Sequence, residues 1–281
     1  MRFAPTCLLA LAGLLVGPAA AYATVFQSVT ANYDDGTVVL TQSDNVEDPL
    51  VPGADDIIAQ VFGPSGSARG SVGAFGNLGI QGQMSQQGTV SNGVLISNDF
   101  VPNTSSIDRQ AELRFIIDGG QMLLLANTGS SVTFSLSILG FIFDENDDFF
   151  DFINWSTGIQ MVENGVFGTD TVVTYSGEDI GATDDGFEVT IPLSFQTVDI
   201  GVIPGGGYAD FSYSLSMIAE VVGGAEIAGY AFSDPLQVDG FQESPRIFFL
   251  DDEVAGDVPA PASLPLMALA VGLIWLRRRT T

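Results

Sequence analysis

The chain has 281 residues and a formal net charge of −26, and all 34 acidic residues lie between Asp34 and Asp257. Such a charge repels phosphate backbones, so we expect no nucleic-acid partner. The sequence contains no His, and its single cysteine, Cys7, lies in an apolar N-terminal stretch. A Ser-His-Asp triad, a zinc site with His ligands and an intramolecular disulfide are therefore excluded.

Residues 1–23 have the features of a secretory signal peptide. Arg2 supplies the positive start, and residues 7–16 (CLLALAGLLV) form a short apolar run. Ala21 and Ala23 then form a small-x-small cleavage site before Thr24. An uncleaved membrane anchor is the alternative, but the run is shorter than the roughly 20 residues that a span requires. We therefore predict cleavage after Ala23.

The exported segment, residues 24–253, is patterned as a β-domain. Val132, Phe134, Leu136 and Ile138 alternate with hydroxyl residues, which is typical of a strand with one buried face. Strands are predicted at 25–33, 37–41, 57–62, 94–100, 112–117, 122–126, 132–138, 171–175, 187–195, 211–217, 226–232 and 246–250. Turns are predicted at 34–36, 118–120, 164–165 and 184–186.

This pattern predicts an all-β fold, an antiparallel β-sandwich that is jelly-roll-like. No amphipathic helix is evident, and a parallel sheet would need crossover helices. The stretch from Gly63 to Gly93 is rich in Gly, Ser and Gln. We predict a long surface loop or a poorly packed edge region there.

An acidic run stands out between two predicted strands. Asp144, Asn146 and Asp148, with Asp151 shortly after, place oxygen atoms at alternate positions, as the first half of a calcium loop does. The glycine and the final glutamate of an EF-hand loop are both missing. Two interpretations remain: a solvated acidic loop, which we prefer, or a weak calcium site. No other cofactor is predicted.

Aromatic residues surround this acidic run. They are Phe141, Phe143, Phe149, Phe150, Phe152 and Trp155. One interpretation is a surface on which sugars stack or a partner binds, beside a cation. The other, which we prefer, is core packing at the end of a strand, because aromatic residues mostly fill the cores of β-sandwiches.

Residues 254–281 form a linker and three successive features. The first is a stiff motif of Val258, Pro259, Ala260, Pro261 and Ala262. The second is the apolar segment 264–276 (LPLMALAVGLIWL), which we predict to be a transmembrane helix, and the third is Arg277, Arg278 and Arg279. An apolar segment followed by an arginine cluster is predicted to keep its end in the cytoplasm and the rest of the chain outside.

This arrangement resembles the PEP-CTERM class of sorting signals, and most closely its VPLPA-CTERM variant, with Ala260 in place of Leu. The resemblance covers residues 258–281. It implies a membrane-anchored intermediate, recognition by an exosortase-type membrane enzyme, and delivery to the cell envelope surface or the extracellular matrix. The alternative is an ordinary single-pass anchor. The three features agree in order and position, so we favour the sorting signal.

Three functions are compatible with the sequence. The first is a non-catalytic structural or adhesive β-domain at the cell surface or in an exopolysaccharide matrix. The second is a calcium-assisted carbohydrate-binding module. The third is a glycosidase that works through two carboxylates, since that chemistry needs neither His nor Cys. We favour the first, because a chain with 34 acidic residues contains pairs of carboxylates whatever its function.

Overall fold

The structure is a computed structural model that describes residues 26–47, 57–72, 78–223, 227–233 and 246–250. Within these residues the chain forms seventeen β-strands. They are β1 (Phe26–Asp34), β2 (Val39–Glu47), β3 (Ile57–Phe62), β4 (Gly66–Val72), β5 (Leu78–Met84), β6 (Gly88–Pro102), β7 (Arg109–Ile117), β8 (Gly120–Leu125), β9 (Ser131–Phe143), β10 (Phe149–Glu163), β11 (Thr171–Gly177), β12 (Thr183–Asp184), β13 (Glu188–Ile191), β14 (Ser194–Ile203), β15 (Tyr208–Val221), β16 (Ile227–Ser233) and β17 (Arg246–Phe249).

The strands form three antiparallel sheets. The first has the order β11-β10-β9-β15-β6-β1-β2, the second β12-β13-β8-β16-β5-β4-β3, and the third β14-β7-β17. The all-β prediction, with antiparallel sheets arranged as a β-sandwich, is therefore confirmed. Among the described residues, no helix has the length and apolar character needed to cross a membrane.

The core lies between the two seven-stranded sheets. Inward residues of β9 and β15 are buried while their neighbours along the strand are exposed or half-buried, as the sequence alternation predicted. The rings of Phe134 and Phe232 stack across the sandwich with centroids 4.7 Å apart. Phe115 of the third sheet meets Trp155 edge-on at 5.1 Å, which anchors that sheet to the same core.

The prediction of a loop or weak edge from Gly63 to Gly93 is wrong. This stretch forms β4, β5 and the start of β6. Its inward positions include Gly70 and Gly82, where an added Cβ would collide with Val29 and Tyr230 respectively. Large side chains from other strands fill the space at these two glycines, and the glycines interrupt the inward rows of apolar residues that the sequence alternation would otherwise show.

Two further strand predictions need correction. The predicted strand 187–195 is divided, because β13 ends at Ile191 and β14 begins at Ser194 in a different sheet. Pro192 lies in this break and has no backbone N–H for a sheet ladder. The strand β10 was not predicted, because aromatic residues occupy both inward and outward positions in its first half and no apolar–polar alternation is visible there.

The predicted turns agree better with the structure. Asp35 N donates to Val38 O at 3.2 Å in the turn between β1 and β2, where Gly36 has a φ of +80°. Asp185 N donates to Glu188 O at 2.9 Å between β12 and β13. The predicted signal peptide, linker and sorting segment lie outside the described residues.

Candidate functional site: an aromatic surface on the outer face of one sheet

Two rows of aromatic residues cross four neighbouring strands of the first sheet. In the first row Phe143 pairs with Phe149 on one side and with Tyr208 on the other. In the second row Phe141 pairs with Phe152, and Asp210 stands between Phe141 and Phe100. Directly paired residues of an antiparallel sheet project from the same face. We call Phe100, Phe141, Phe143, Phe149, Phe152 and Tyr208 the aromatic surface.

The rings of the aromatic surface support one another. Phe143 stacks on Tyr208 with centroids 4.9 Å apart, and Tyr208 lies 4.5 Å from Phe100. Phe149 meets Phe143 edge-on at 6.4 Å. Phe149 and Phe152 are nevertheless each 59% exposed. Exposed apolar groups clustered in this way mark interaction sites, because a soluble protein otherwise gains by burying them.

Carboxylates lie within and beside the aromatic surface. One oxygen of Asp210, Oδ1, is buried and has no hydrogen-bond partner among the described residues. Burial raises the pKa of Asp210. Burial, followed by the negative charge of Asp147, raises the pKa of Tyr208. The surface therefore combines apolar rings with hydrogen-bond acceptors and negative charge, a combination unsuited to an anionic ligand.

The acidic run forms the tight turn between β9 and β10, at the edge of the aromatic surface. Asp144 Oδ1 accepts hydrogen bonds from Asn146 N at 2.8 Å and Asp148 N at 3.0 Å. These two donors, Asn146 first, lower the pKa of the Asp144 carboxyl. Asp147 adopts a φ of +63° at the turn. The preferred interpretation, a loop between two strands, thus agrees with the backbone.

The predicted calcium ligands lie in the turn between β9 and β10 and at the start of β10. Asp144 uses one oxygen to hold the turn, whereas Asp151 lies on β10 and accepts from Phe152 N at 2.8 Å. In the described part of the chain, no three Asp or Glu side chains come together as a metal site would require. Calcium binding by Asp144, Asn146, Asp148 and Asp151 stays a prediction.

The prediction that these aromatic residues pack in the core is wrong for most of them. Phe141, Phe150 and Phe152 are 40%, 53% and 59% exposed, whereas Trp155 is 7% exposed and belongs to the core. The alternation within β9 could have predicted this exposure. The hydroxyl residues before Ile138 project outward, and Phe141 and Phe143 occupy later outward positions of the same strand. The pairing of β10 and β15 beside them could not be read from the sequence.

Asp99 is a second carboxylate that sequence reasoning missed. It accepts a hydrogen bond from the Tyr213 hydroxyl at 2.9 Å. Burial, against the effect of that hydrogen bond, raises the pKa of Asp99 to about 6. Asp99 pairs with the buried Phe211 and therefore lies on the inner face of the sheet. Asp210 lies between two buried residues of β15, so it projects from the outer face. The two carboxylates therefore do not flank one bond, as a glycosidase requires.

Comparisons with known proteins give no family. No protein-family model and no curated protein match this chain. Weak similarity is found to the solved "Structure of infectious bursal disease virus Gt strain", with 9% identity, coverage of 86% of this chain and 73% of that chain, and a TM-score of 0.15. The corresponding Gx strain structure has 11% identity, covers 89% and 74%, and has a TM-score of 0.13. Scores this low do not establish a shared fold.

Proposed function

We propose that this chain is an exported, non-catalytic protein that attaches to material at the cell surface or in an extracellular matrix through its aromatic surface. The observation that carries the proposal is the double row of aromatic rings on the outer face of a β-sandwich, in which Phe149 and Phe152 are each 59% exposed. An exported domain gains from such a surface only when a ligand or partner covers it.

The chain ends supply the route in this proposal. A signal peptide cleaved after Ala23 would start export, and the segment from Val258 to Arg279 would hold a membrane-anchored intermediate for an exosortase-type enzyme. The domain between them would be a jelly-roll-like β-sandwich. An uncharged polysaccharide suits the aromatic surface, because sugar rings present apolar faces for stacking and hydroxyl groups that donate to Asp210.

The proposal is tested by removing the two most exposed rings of the aromatic surface. The double variant Phe149→Ala/Phe152→Ala is compared with Phe62→Ala, which truncates a phenylalanine that is 70% exposed on the second sheet. We expect the double variant to be secreted but to bind isolated extracellular polysaccharide at least about tenfold more weakly. Equal binding by the double variant and Phe62→Ala would contradict the proposal.

A calcium-assisted carbohydrate-binding module is the second candidate function. The acidic turn from Asp144 to Asp148 adjoins the aromatic surface, and this proximity favours it. Extracellular calcium is abundant enough to fill sites with a Kd of about 10⁻⁴ to 10⁻³ M. In this case a chelator would abolish polysaccharide binding, and Asp148→Asn would weaken calcium-dependent stabilisation. Binding that survives the chelator supports the first proposal instead.

A further inference from the structure

Strand β11 forms one edge of the first sheet and is open to solvent on most of its length. It pairs with β10 on one side, and Val172 and Tyr175 are 46% and 49% exposed. Its sequence, TVVTYSG, contains no charge and no proline. β-Branched and aromatic residues give it a high preference for strand pairing. An edge with these properties is a ready template for another strand.

The hydrogen bonds to β10 show which backbone groups of β11 are directed outward. Asn164 N donates to Asp170 O at 3.0 Å, and Glu178 N donates to Ser156 O at 2.8 Å. In an antiparallel pair the bonded residues alternate. The even-numbered residues from 170 to 178 therefore face β10. The N–H and C=O groups of Thr171, Val173, Tyr175 and Gly177 are directed to the open edge.

Most of the other described edge strands carry features that oppose pairing. Strand β2 contains Asp44. Strand β3, with the sequence IIAQVF, has neither charge nor proline, but its edge lies beside β2, where Gln60 N donates to the Gln42 side chain at 3.1 Å. Strand β14 is interrupted by a bulge after Asp199. Strand β12 has two residues, and β17 begins with Arg246. Charges, bulges and short lengths are the usual protections of a sheet edge.

We propose that β11 pairs with β11 of a second copy, antiparallel about a two-fold axis through Thr174. Pairing of the outward groups then places Thr171 opposite Gly177 of the other copy, and Val173 opposite Tyr175. Because of the two-fold axis, each of these pairs occurs twice. Val173 and Tyr175 of the two copies exchange about four backbone hydrogen bonds, and the Thr171–Gly177 pairs at both ends, where Gly177 has a φ of +73°, extend the ladder less regularly. Thr174 meets its own copy on the outer face, and each Val173 contacts an aromatic ring, which are favourable cross-strand pairs.

The charge of the chain makes this association dependent on salt. The same register brings Asp170 opposite Glu178 of the second copy at both ends of the ladder. Each copy also carries a formal net charge of −26. At about 1 M salt the Debye length falls to about 3 Å, so this repulsion is screened. We therefore expect the dimer to strengthen as the ionic strength rises.

The register is tested by cysteine cross-linking of the full chain in its native host. Thr174 would lie about 4.5 Å from its copy between Cα atoms, within the range of a disulfide. Ser176, on the same face of β11, would lie about 14 Å from its copy because the two are four residues out of register. Wild-type protein controls for Cys7.

Under mild oxidation we expect Thr174→Cys to give a covalent dimer and Ser176→Cys to stay a monomer. Val173→Pro, added to Thr174→Cys, removes an outward N–H that β10 does not use, and should reduce the dimer at least about fivefold. A melting temperature close to that of wild type would show that this variant is folded. Equal cross-linking at positions 174 and 176, or at neither, would overturn the proposal.

Discussion

Removing the charge of Asp99 should change the pH dependence of stability in a defined direction. The pKa of Asp99 lies near 6 rather than at 3.8. Since each pKa unit corresponds to about 1.4 kcal/mol, ionising Asp99 in the folded protein costs about 3 kcal/mol. The pKa is raised on folding, so the contribution of this group is fully present below about pH 4 and is lost as the pH rises through about 6.

The variant Asp99→Asn keeps an acceptor for the Tyr213 hydroxyl and cannot ionise. Urea unfolding between pH 4 and pH 8 should therefore show equal stability at the acid end and a more stable variant, by about 3 kcal/mol, at the alkaline end. Asp44→Asn, at an exposed position on β2, controls for the loss of one charge from an acidic surface. A constant difference across this pH range would refute the assignment.

Two pairs of substitutions test loop order and packing by urea unfolding. Glu163 is fully buried and accepts from Gly165 N at 2.8 Å, Asp170 N at 3.1 Å and the Thr171 hydroxyl at 2.7 Å. Glu163→Ala should cost about 3 kcal/mol by orphaning two amides, and Glu163→Gln less, because the hydroxyl can reverse its bond. Gly82→Ala should lower the free energy of unfolding by about 2 kcal/mol, because the added methyl group displaces Tyr230. Gly93→Ala, with open space around it, should lower it by less than about 1 kcal/mol. Equal losses of stability in the two variants would contradict this packing.

Strand alternation carried most of the prediction of the fold. Strands such as β9 and β15 bury one face, so their apolar residues fall at every second position, and antiparallel pairing follows from short turns such as that at Gly36. The prediction failed at β4, whose inward residues Ala68 and Gly70 are small, and at β5, where Gly82 interrupts the inward row of Leu78, Ile80 and Met84. There the core is filled by Tyr33 and Tyr230 from distant strands, which a local pattern cannot reveal.

The candidate site was predicted as a choice that the sequence could not decide. An aromatic cluster near Phe150 was evident, but its side of the sheet depends on the pairing of β6, β9, β10 and β15. These strands are distant in sequence, and the bulge between Phe149 and Asp151 changes the phase within β10 itself. The raised pKa of Asp99 was likewise out of reach, because burial is a property of the assembled sandwich.

The most direct test of the account is the intact mass and the location of the chain in its native host, with Arg277, Arg278 and Arg279 either present or replaced by Ala. The account predicts a surface or matrix form that begins at Thr24 and ends between Val258 and Ala262, and its loss from that location when the arginines are replaced. A surface form that still contains residues 264–281 would contradict the account and identify a permanently anchored membrane protein.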